Sequence, residues 1–515
     1  MRRPKSQSAQ TTTITAPVGG WNVINSLASM PPNEAVIIDN WFCLPTELKL
    51  RCGYSAWATG LDGEVNSFIT YDAPNGDVKF FAATNTGKIY NVTTKGAVGA
   101  PVISGLTNGK FKSVQFSNSG GDFTLAINGA DSLLLYNGTT VYAVTGVSTP
   151  YAITGVSTAL LNDIHVHKRR IWFAEKNSLR GWYLATDAIA GAASMFDFGP
   201  LFAMGGSIAR LETWTLDAGN GMDDYFVVIT TAGEIAVYTG VNPNDATDWS
   251  LKGVYYVGAP IGALSTCKYA GDVILINKDG ILPLSQCLMS SRVSTRLALT
   301  NKIQSQISLD TSNYSQLFGW QVILYPPENM LLLNVPANNG IYYQYVMNTI
   351  TGAWSRFTNI NTSCWTFINE KLFFGVNGTV HKFWDGTNDN GAPIETDLLP
   401  AFSAFGNQVQ IKKFNMTRIS MGADSPFSYN NKINLEFDKV SSPNYPQTSP
   451  STGLTDWDTA KWDTNTWAGD IVPFFRWQMA AGMGYYASMR LKTASLSADV
   501  RFYSIDYVYD AGGIL

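Results

Sequence analysis

Few side chains in this 515-residue chain are placed to do chemistry. His165 and His167 stand at i and i+2, so on a strand both rings face one side, an arrangement that can begin a metal site. His381 is the only other histidine, and Lys168, Arg169 and Arg170 follow the pair directly, which fits a solvated strand edge better. The cysteines, Cys43, Cys52, Cys267, Cys287 and Cys364, are odd in number and none stands at metal-ligand spacing from another. They read as buried free thiols of a protein made in a reducing compartment. With 39 carboxylates, some pair suited to glycoside hydrolysis can always be found. The Ser/Asp/Gly/Trp box of sialidases is nevertheless missing from the turns, and Asp223-Asp224 reads as a strand edge. Gly120-Gly121-Asp122 and residues 219–221 lack the lysine and the strand-to-helix setting of a phosphate loop. Trp457, Trp462 and Trp467 recur every five residues. Such indoles can stack on sugar faces, or they can anchor a polar loop or a subunit contact. No catalytic residue, metal site or cofactor is assigned from these patterns.

The elements that must carry these residues are strands. An apolar run, a turn rich in Asn, Gly or Asp, and a second apolar run recur at 78–92, 123–136, 171–183, 225–238, 273–284, 331–345 and 372–384. The turn residues Gly87, Gly129, Asn177, Gly233, Gly280, Gly340 and Gly378 lie 38 to 60 positions apart. Hairpins repeating at that period predict the blades of an irregular β-propeller, about six or seven of them. The expected organisation is a flexible arm at 1–16, a platform segment at 17–65, the propeller at 66–395 and a C-terminal β domain at 396–515. A turn-rich break at 385–393 precedes that last domain, and alternation at 409–411, 433–437 and 500–509 gives it strands. The fold class is therefore all-β, a propeller plus a β-sandwich-like domain formed by the C-terminal region with the N-terminal segment. Helical signals are confined to single turns at 33–40 and 300–307.

Charged residues make up 14 % of the chain, against roughly 25 % in an average globular protein. So sparse a charge predicts that much of the surface is covered, most simply by further copies of the chain. The net charge of −4 argues against a protein that grips nucleic acid, but not against one that lets a duplex slide past. No apolar run reaches the 18 residues of a membrane span, and the polar start carries no secretion signal.

The most specific stretch is 19–54, GGWNVINSLASMPPNEAVIIDNWFCLPTELKLRCGY. Gly19 and Gly20 suit positive φ or close backbone approach. Pro31 and Pro32 before Glu34 and Ala35 read as a turn or helix start. Asp39 and Asn40 suit an Asx turn, and Arg51 suits a carbonyl cluster or a carboxylate of the C-terminal domain. Taken together, Gly19, Gly20 and Asn22, then Met30, Pro31, Pro32, Glu34 and Ala35, then Asp39, Asn40 and Phe42, and finally Arg51, Gly53 and Tyr54 resemble the opening layout of one family. That family is the short-tailed phage (podovirus) tail nozzle, also described as tail tubular protein B or packaged-DNA stabilisation protein.

The resemblance implies a non-enzymatic virion protein located in the tail. Such a protein forms a ring, usually a hexamer, below the tail adaptor, and extends and gates the DNA ejection channel. Its partners would be other copies of itself, the adaptor, fibre or spike and needle proteins, and genomic double-stranded DNA passing without sequence-specific contact. The basic tip at Arg2, Arg3 and Lys5 would touch DNA or an acidic adaptor surface, or simply be solvated. Two other readings stay open: a propeller-type glycan hydrolase or depolymerase, and a glycan-binding module that uses Trp457, Trp462 and Trp467.

Overall fold

A computed structural model of the chain describes residues 9–217, 222–288, 298–441, 447–449, 454–455, 466–467 and 471–512. Its centre is a ring of seven blades. Blade 1 is the second half of Tyr54–Asp72 with Val78–Thr84 and Ile89–Asn91. Blades 2, 3 and 4 are four-stranded and antiparallel, with Lys112–Asn118, Leu161–His167 and Ile208–Asp217 as their innermost strands. Blade 5 has three strands from Thr266–Tyr269 to Gly280–Pro283, and blade 6 has four from Gln321–Tyr325 to Trp354–Phe357. Blade 7 is Cys364–Ile368 with the first part of Lys371–Phe383. Each blade packs its innermost region against the next, and Cys364–Ile368 returns to Tyr54–Asp72, so the ring closes.

Closure uses two long strands that each serve two partners. Within Lys371–Phe383, the first residues pair with Cys364–Ile368 in blade 7, and Asn377 to Phe383 pair with Glu64 back to Tyr54. From Val65 onward that partner pairs instead with blade 1. An early strand and a late strand therefore interlock across the seam. The expected boundary between residues 65 and 66 falls inside one continuous strand.

Six of the seven predicted turn positions lie in or beside hairpin turns. Gly87, Gly129, Asn177, Gly233, Gly280 and Gly340 all have positive φ, the conformation these tight connections require. Gly378 is the exception. It lies within Lys371–Phe383, at a register shift between Asn377 and Thr379, and forms a bulge where the strand changes partner. The true turn of blade 7 is Asn369-Glu370, both at positive φ. Asn-Gly chemistry marks a left-handed backbone step, and here a strand bend requires that step.

The spaces between blades are filled by apolar residues in strand alternation. Trp172 is fully buried between blades 3 and 4, 4.5 Å from Phe226, 4.8 Å from Tyr183 and 5.5 Å from Trp249 between ring centroids.

Beside the ring lies a two-sheet sandwich. One sheet runs Trp41–Cys43, Leu48–Leu50, Val500–Ala511, Lys412–Ala423, Val472–Gly484, with Gln10–Thr15 also paired to Val500–Ala511. The other is blade 6 extended without a break: Trp354–Phe357 is followed by Ala35–Asp39, Ile394–Pro400, Ala487–Ser495, Ser428–Leu435 and Gln447–Thr448. Trp41, Phe414, Tyr429, Leu491 and Tyr507 fill the space between the sheets, in one apolar cluster with Leu331 and Leu333 of blade 6 and Ile274 of blade 5. Sandwich and propeller thus share a core.

Three local expectations are corrected. Residues 10–15 are not part of a free arm but an edge strand, because an unbroken run of β-branched residues, Thr11 to Thr15, suits a pleated, half-solvated position. Residues 33–40 form no helical turn, since Ala35–Asp39 is a strand inserted between blade 6 and Ile394–Pro400. The helix near 300 is longer than one turn, a 3₁₀ segment Asn301–Ile303 running into Gln304–Tyr314. Residues 1–8, including Arg2, Arg3 and Lys5, lie outside the described residues. Truncating Trp172 to Ala should remove about 3–5 kcal/mol of stability through lost burial and the cavity left between two blades, read as a lowered urea midpoint.

Candidate functional site

The residues of the 19–54 stretch converge on one buried junction where the N-terminal segment, blade 6, the 385–393 segment and the sandwich meet. Arg51 is its centre, with a fully buried side chain. Its guanidinium donates to both carboxylate oxygens of Asp389 at 2.8 and 2.6 Å, and through Nε to Asn40 Oδ1 at 2.9 Å. It also donates to the carbonyls of Cys52 and Thr358 at 3.1 and 3.3 Å. Both expected types of partner are present, but the carboxylate comes from the 385–393 segment rather than from the C-terminal domain.

Asn40, at φ 60°, closes no Asx turn. Its Oδ1 also accepts from Thr358 N, and its Nδ2 donates to Thr358 Oγ1 and to the Glu395 carbonyl at 2.9 and 2.7 Å. Asp39 takes two hydrogen bonds from Arg356 of blade 6, at 2.8 and 2.7 Å. Burial pushes the Asp39 carboxyl upward against the pull of that arginine. Arg356 in turn lies over the rings of Trp21 and Tyr343, at 5.6 and 5.4 Å.

The glycines are required by contact. A Cβ on Gly53 would stand 1.8 Å from the carbonyl oxygen of Asn388, and one on Gly20, whose φ is +84°, would stand 2.5 Å from that of Trp354. Gly19 N donates to Asn33 O at 2.7 Å. Asn22 Oδ1 accepts the amides of Ile24 and Asn25, and its Nδ2 donates to Glu34. Glu34 pairs with Lys302 at 2.9 Å, and Pro31 O accepts Glu34 N, so Pro31-Pro32 opens a turn into the buried Ala35 and its strand. Tyr54 rests edge-on against Phe374 and His381 at the ring seam. Sequence reasoning missed Asp389, Thr358, Arg356 and Lys302, which stand hundreds of positions downstream of the residues they meet, where residue type gives no sign of the partner.

The histidine pair is not a solvated edge. His165 and His167 lie on the innermost strand of blade 3 and face blade 4, where Thr213 Oγ1 meets His165 Nε2 at 2.8 Å and His167 Nδ1 at 2.9 Å. One hydroxyl can donate to one ring nitrogen and accept from the other, so the two nitrogens that face Thr213 are satisfied with both imidazoles neutral. Around them runs a chain of ions across blades 2 to 5. Lys112 and Arg210 both meet Asp163 Oδ1, at 2.6 and 3.0 Å, and Leu211 N donates to Asp163 Oδ2 at 2.6 Å. Thr266 of blade 5 donates to Glu212 at 2.6 Å. Burial lowers the His165 pKa to about 4 and the His167 pKa to about 3. Burial opposes ionisation of Glu212, but Lys112, His165 and Arg210 outweigh it and hold its pKa near 2. These groups join neighbouring blades. Among the described residues no cluster of three His, Cys, Asp or Glu is placed to hold a metal.

Two open clefts accompany these centres. One, of about 450 Å³, lies against the extended blade 6 sheet and is lined by Asp39, Glu395, Asp397, Asn430 and Lys492 among others. Its carboxylates Asp39 and Asp397 stand opposite each other on paired strands, each held by an arginine, Arg356 and Arg490. The other, of about 370 Å³, is lined by Glu64, Asn66, Lys110, Phe318 and Tyr342 among others. Glu64 is the one carboxylate among its described lining residues. Trp457 and Trp462 lie outside the described residues. Trp467 ends a two-residue strand, Thr466–Trp467, paired in parallel with Leu454–Thr455. Cys43, Cys52, Cys267 and Cys364 are free thiols, and burial pushes Cys43 to about 12 and Cys52 and Cys267 to about 11.

No protein-family model and no curated protein matches this chain. Among solved structures it is similar to the BBS1N chain of a complex with ARL6DN, at 12 % identity and TM-score 0.42, covering 68 % of this chain and 99 % of that one. It is also similar to the β-propeller domain of Cps50 (Swd1) from Myceliophteria thermophila, at 11 % identity and TM-score 0.38, covering 64 % and 99 %. A third similarity is to YCF48 bound to a D1 peptide, at 9 % identity and TM-score 0.35, covering 70 % and 99 %. Likeness at this level concerns the propeller fold alone.

Replacing Asp389 by Asn strands a buried guanidinium and should cost about 3–5 kcal/mol in urea unfolding. The buried histidines and Glu212 set an acid limit. Unfolded histidine binds protons below about 6.5 and unfolded glutamate below about 4.3, while the folded groups resist. Stability should therefore fall as pH drops from about 6.5 toward 3. His165→Gln should flatten that slope, by on the order of 3 kcal/mol between pH 7 and 4, in pH-stepped denaturation.

Proposed function

We propose that this chain is a structural ring subunit of a short phage tail: the nozzle below the adaptor that extends and gates the DNA ejection channel, resident in the virion tail and without catalytic activity. The observation that carries this reading is the fate of the 19–54 residues, whose layout resembles that family. Arg51, Asn40, Asp39 and Glu34 of that stretch are spent on tying the N-terminal segment to the 385–393 segment, to blade 6 and to the helical segment near 300. Such an arrangement suits a part that must transmit load without changing its internal packing. The weakly acidic balance also supports a conduit, since a duplex passes most easily along walls that do not bind phosphate. Self-association, docking on the adaptor, and contacts with fibre or spike and needle proteins follow from the same reading, with DNA as a passing and not a bound partner.

Light scattering on the purified full chain, with negative-stain images of the same peak, tests it. The expected outcome is a ring of about six subunits with an axial hole wide enough for a duplex. Single, isolated propellers at every concentration tried would count against it, and turnover of a saccharide would replace it with the hydrolase reading.

A further inference from the structure

One face of the sandwich has no cover among the described residues. On the outer side of Val472–Gly484, alternate residues point away from the core: Phe475 is 60 % exposed, Trp477 44 %, Met479 88 % and Met483 65 %, and Met416 on the neighbouring strand is 41 % exposed. Arg418 lies over both Phe475 and Trp477, at 5.4 and 5.1 Å, and its Nε donates to Asp506 at 2.6 Å. Phe, Trp, Met and Arg are the residue types that interfaces concentrate. With whole aromatic side chains presenting roughly 150–250 Å², these exposures sum to about 600 Å². That is the upper limit of what a monomer leaves open and close to the ~800 Å² per partner of a stable interface.

On one side the sheet ends in Val472–Gly484; on the other, Val500–Ala511 is flanked by Gln10–Thr15 and, end to end with it, by the Trp41–Cys43 and Leu48–Leu50 pair. Register runs straight across it, Thr13 opposite Asp506, Asp506 opposite Arg418, and Arg418 opposite Trp477. Parallel rows join Thr15, Ser504, Ser420 and Phe475, and also Thr11, Val508, Met416 and Met479. The outer face is thus low and hydroxyl-bearing along Gln10–Thr15, and high and apolar along Val472–Gly484. Among the described residues no strand pairs with the outward side of either edge, and Gln10–Thr15 carries no charge or proline to blunt it. All pairings in the sheet are antiparallel. Two copies laid side by side in one orientation therefore bring the apolar edge of the first antiparallel to the threonine edge of the second.

We propose that this sheet is the self-association surface, joining copies head to tail, with Phe475, Trp477 and Met479 of one copy seated against residues 10–15 of the next. A heterologous contact of this kind closes into a ring when its rotation allows, so the inference deepens the ring reading and rests on it for closure.

The test uses the full chain. A photo-reactive benzoylphenylalanine at position 479, in a 1:1 mixture of ¹⁴N- and ¹⁵N-labelled protein, should give mixed-isotope cross-links to residues 10–15. In parallel, the exposed-face variant Trp477→Glu/Met479→Glu should weaken assembly at least about 30-fold in dissociation constant, as loss of an interface anchor does. Its urea midpoint should stay unchanged, and Val147→Glu, at a residue 91 % exposed elsewhere, should assemble normally. Cross-links confined to one chain, or from 479 to 479, would overturn the head-to-tail surface. A Glu variant that still forms the wild-type ring would overturn it while leaving the nozzle reading standing. A wild-type assembly that is lost in the variant but is not a closed ring would keep the surface and remove the nozzle reading.

Discussion

The architecture depends on one buried ion pair, Arg51 with Asp389. The two residues lie 338 positions apart, on either side of the propeller in sequence. Their contact brings the chain before the first blade together with the chain after the last. Asn40, Thr358 and the Asn388 carbonyl pack around it, so the entry segment, blade 6 and the seam between blades 7 and 1 are set by one polar knot. A buried ion pair adds little net stability over a well-packed apolar substitute, because desolvation offsets its attraction. What it supplies here is register: a guanidinium with five fixed donors is satisfied in one arrangement of five acceptors, and a slipped seam would leave several of them empty.

The ring obeys the same economy elsewhere. A propeller leaves short strand edges and wedge-shaped gaps between blades, and this one fills the outer gaps with aromatic rings and the inner ones with paired charges. Trp172, Phe226 and Trp249 illustrate the first. Lys112, Asp163, Arg210 and Glu212 illustrate the second. Several of the chain's few charges are therefore internal. The bulk charge count overstates what the surface carries.

The unbroken sheet from blade 6 into the sandwich has a mechanical consequence. Nine strands share one hydrogen-bonded ladder, and both sides of the join draw on a common apolar cluster. A hinge between propeller and sandwich would have to break that ladder. Movement is more readily placed in loops than at this join.

The sequence by itself determined the all-β class, the hairpin repeat and six of its turns, because strand alternation and left-handed turn residues are local properties read within a dozen positions. It also marked Gly20 and Arg51 as structurally demanding, since residue type alone signals close backbone approach or a need for several acceptors. Only the tertiary structure decided who meets them. Asp389 and Thr358 sit in polar stretches indistinguishable from loop, and contacts across more than 300 positions leave no periodicity. The histidines changed from edge to interior for the same reason: the sequence gives a side of the strand, and the packing of the next blade decides whether that side meets water. Gly378 shows the limit from the other direction. Asn-Gly announces a backbone bend, but the partners on either side decide whether the bend ends a strand or lets one strand serve two blades.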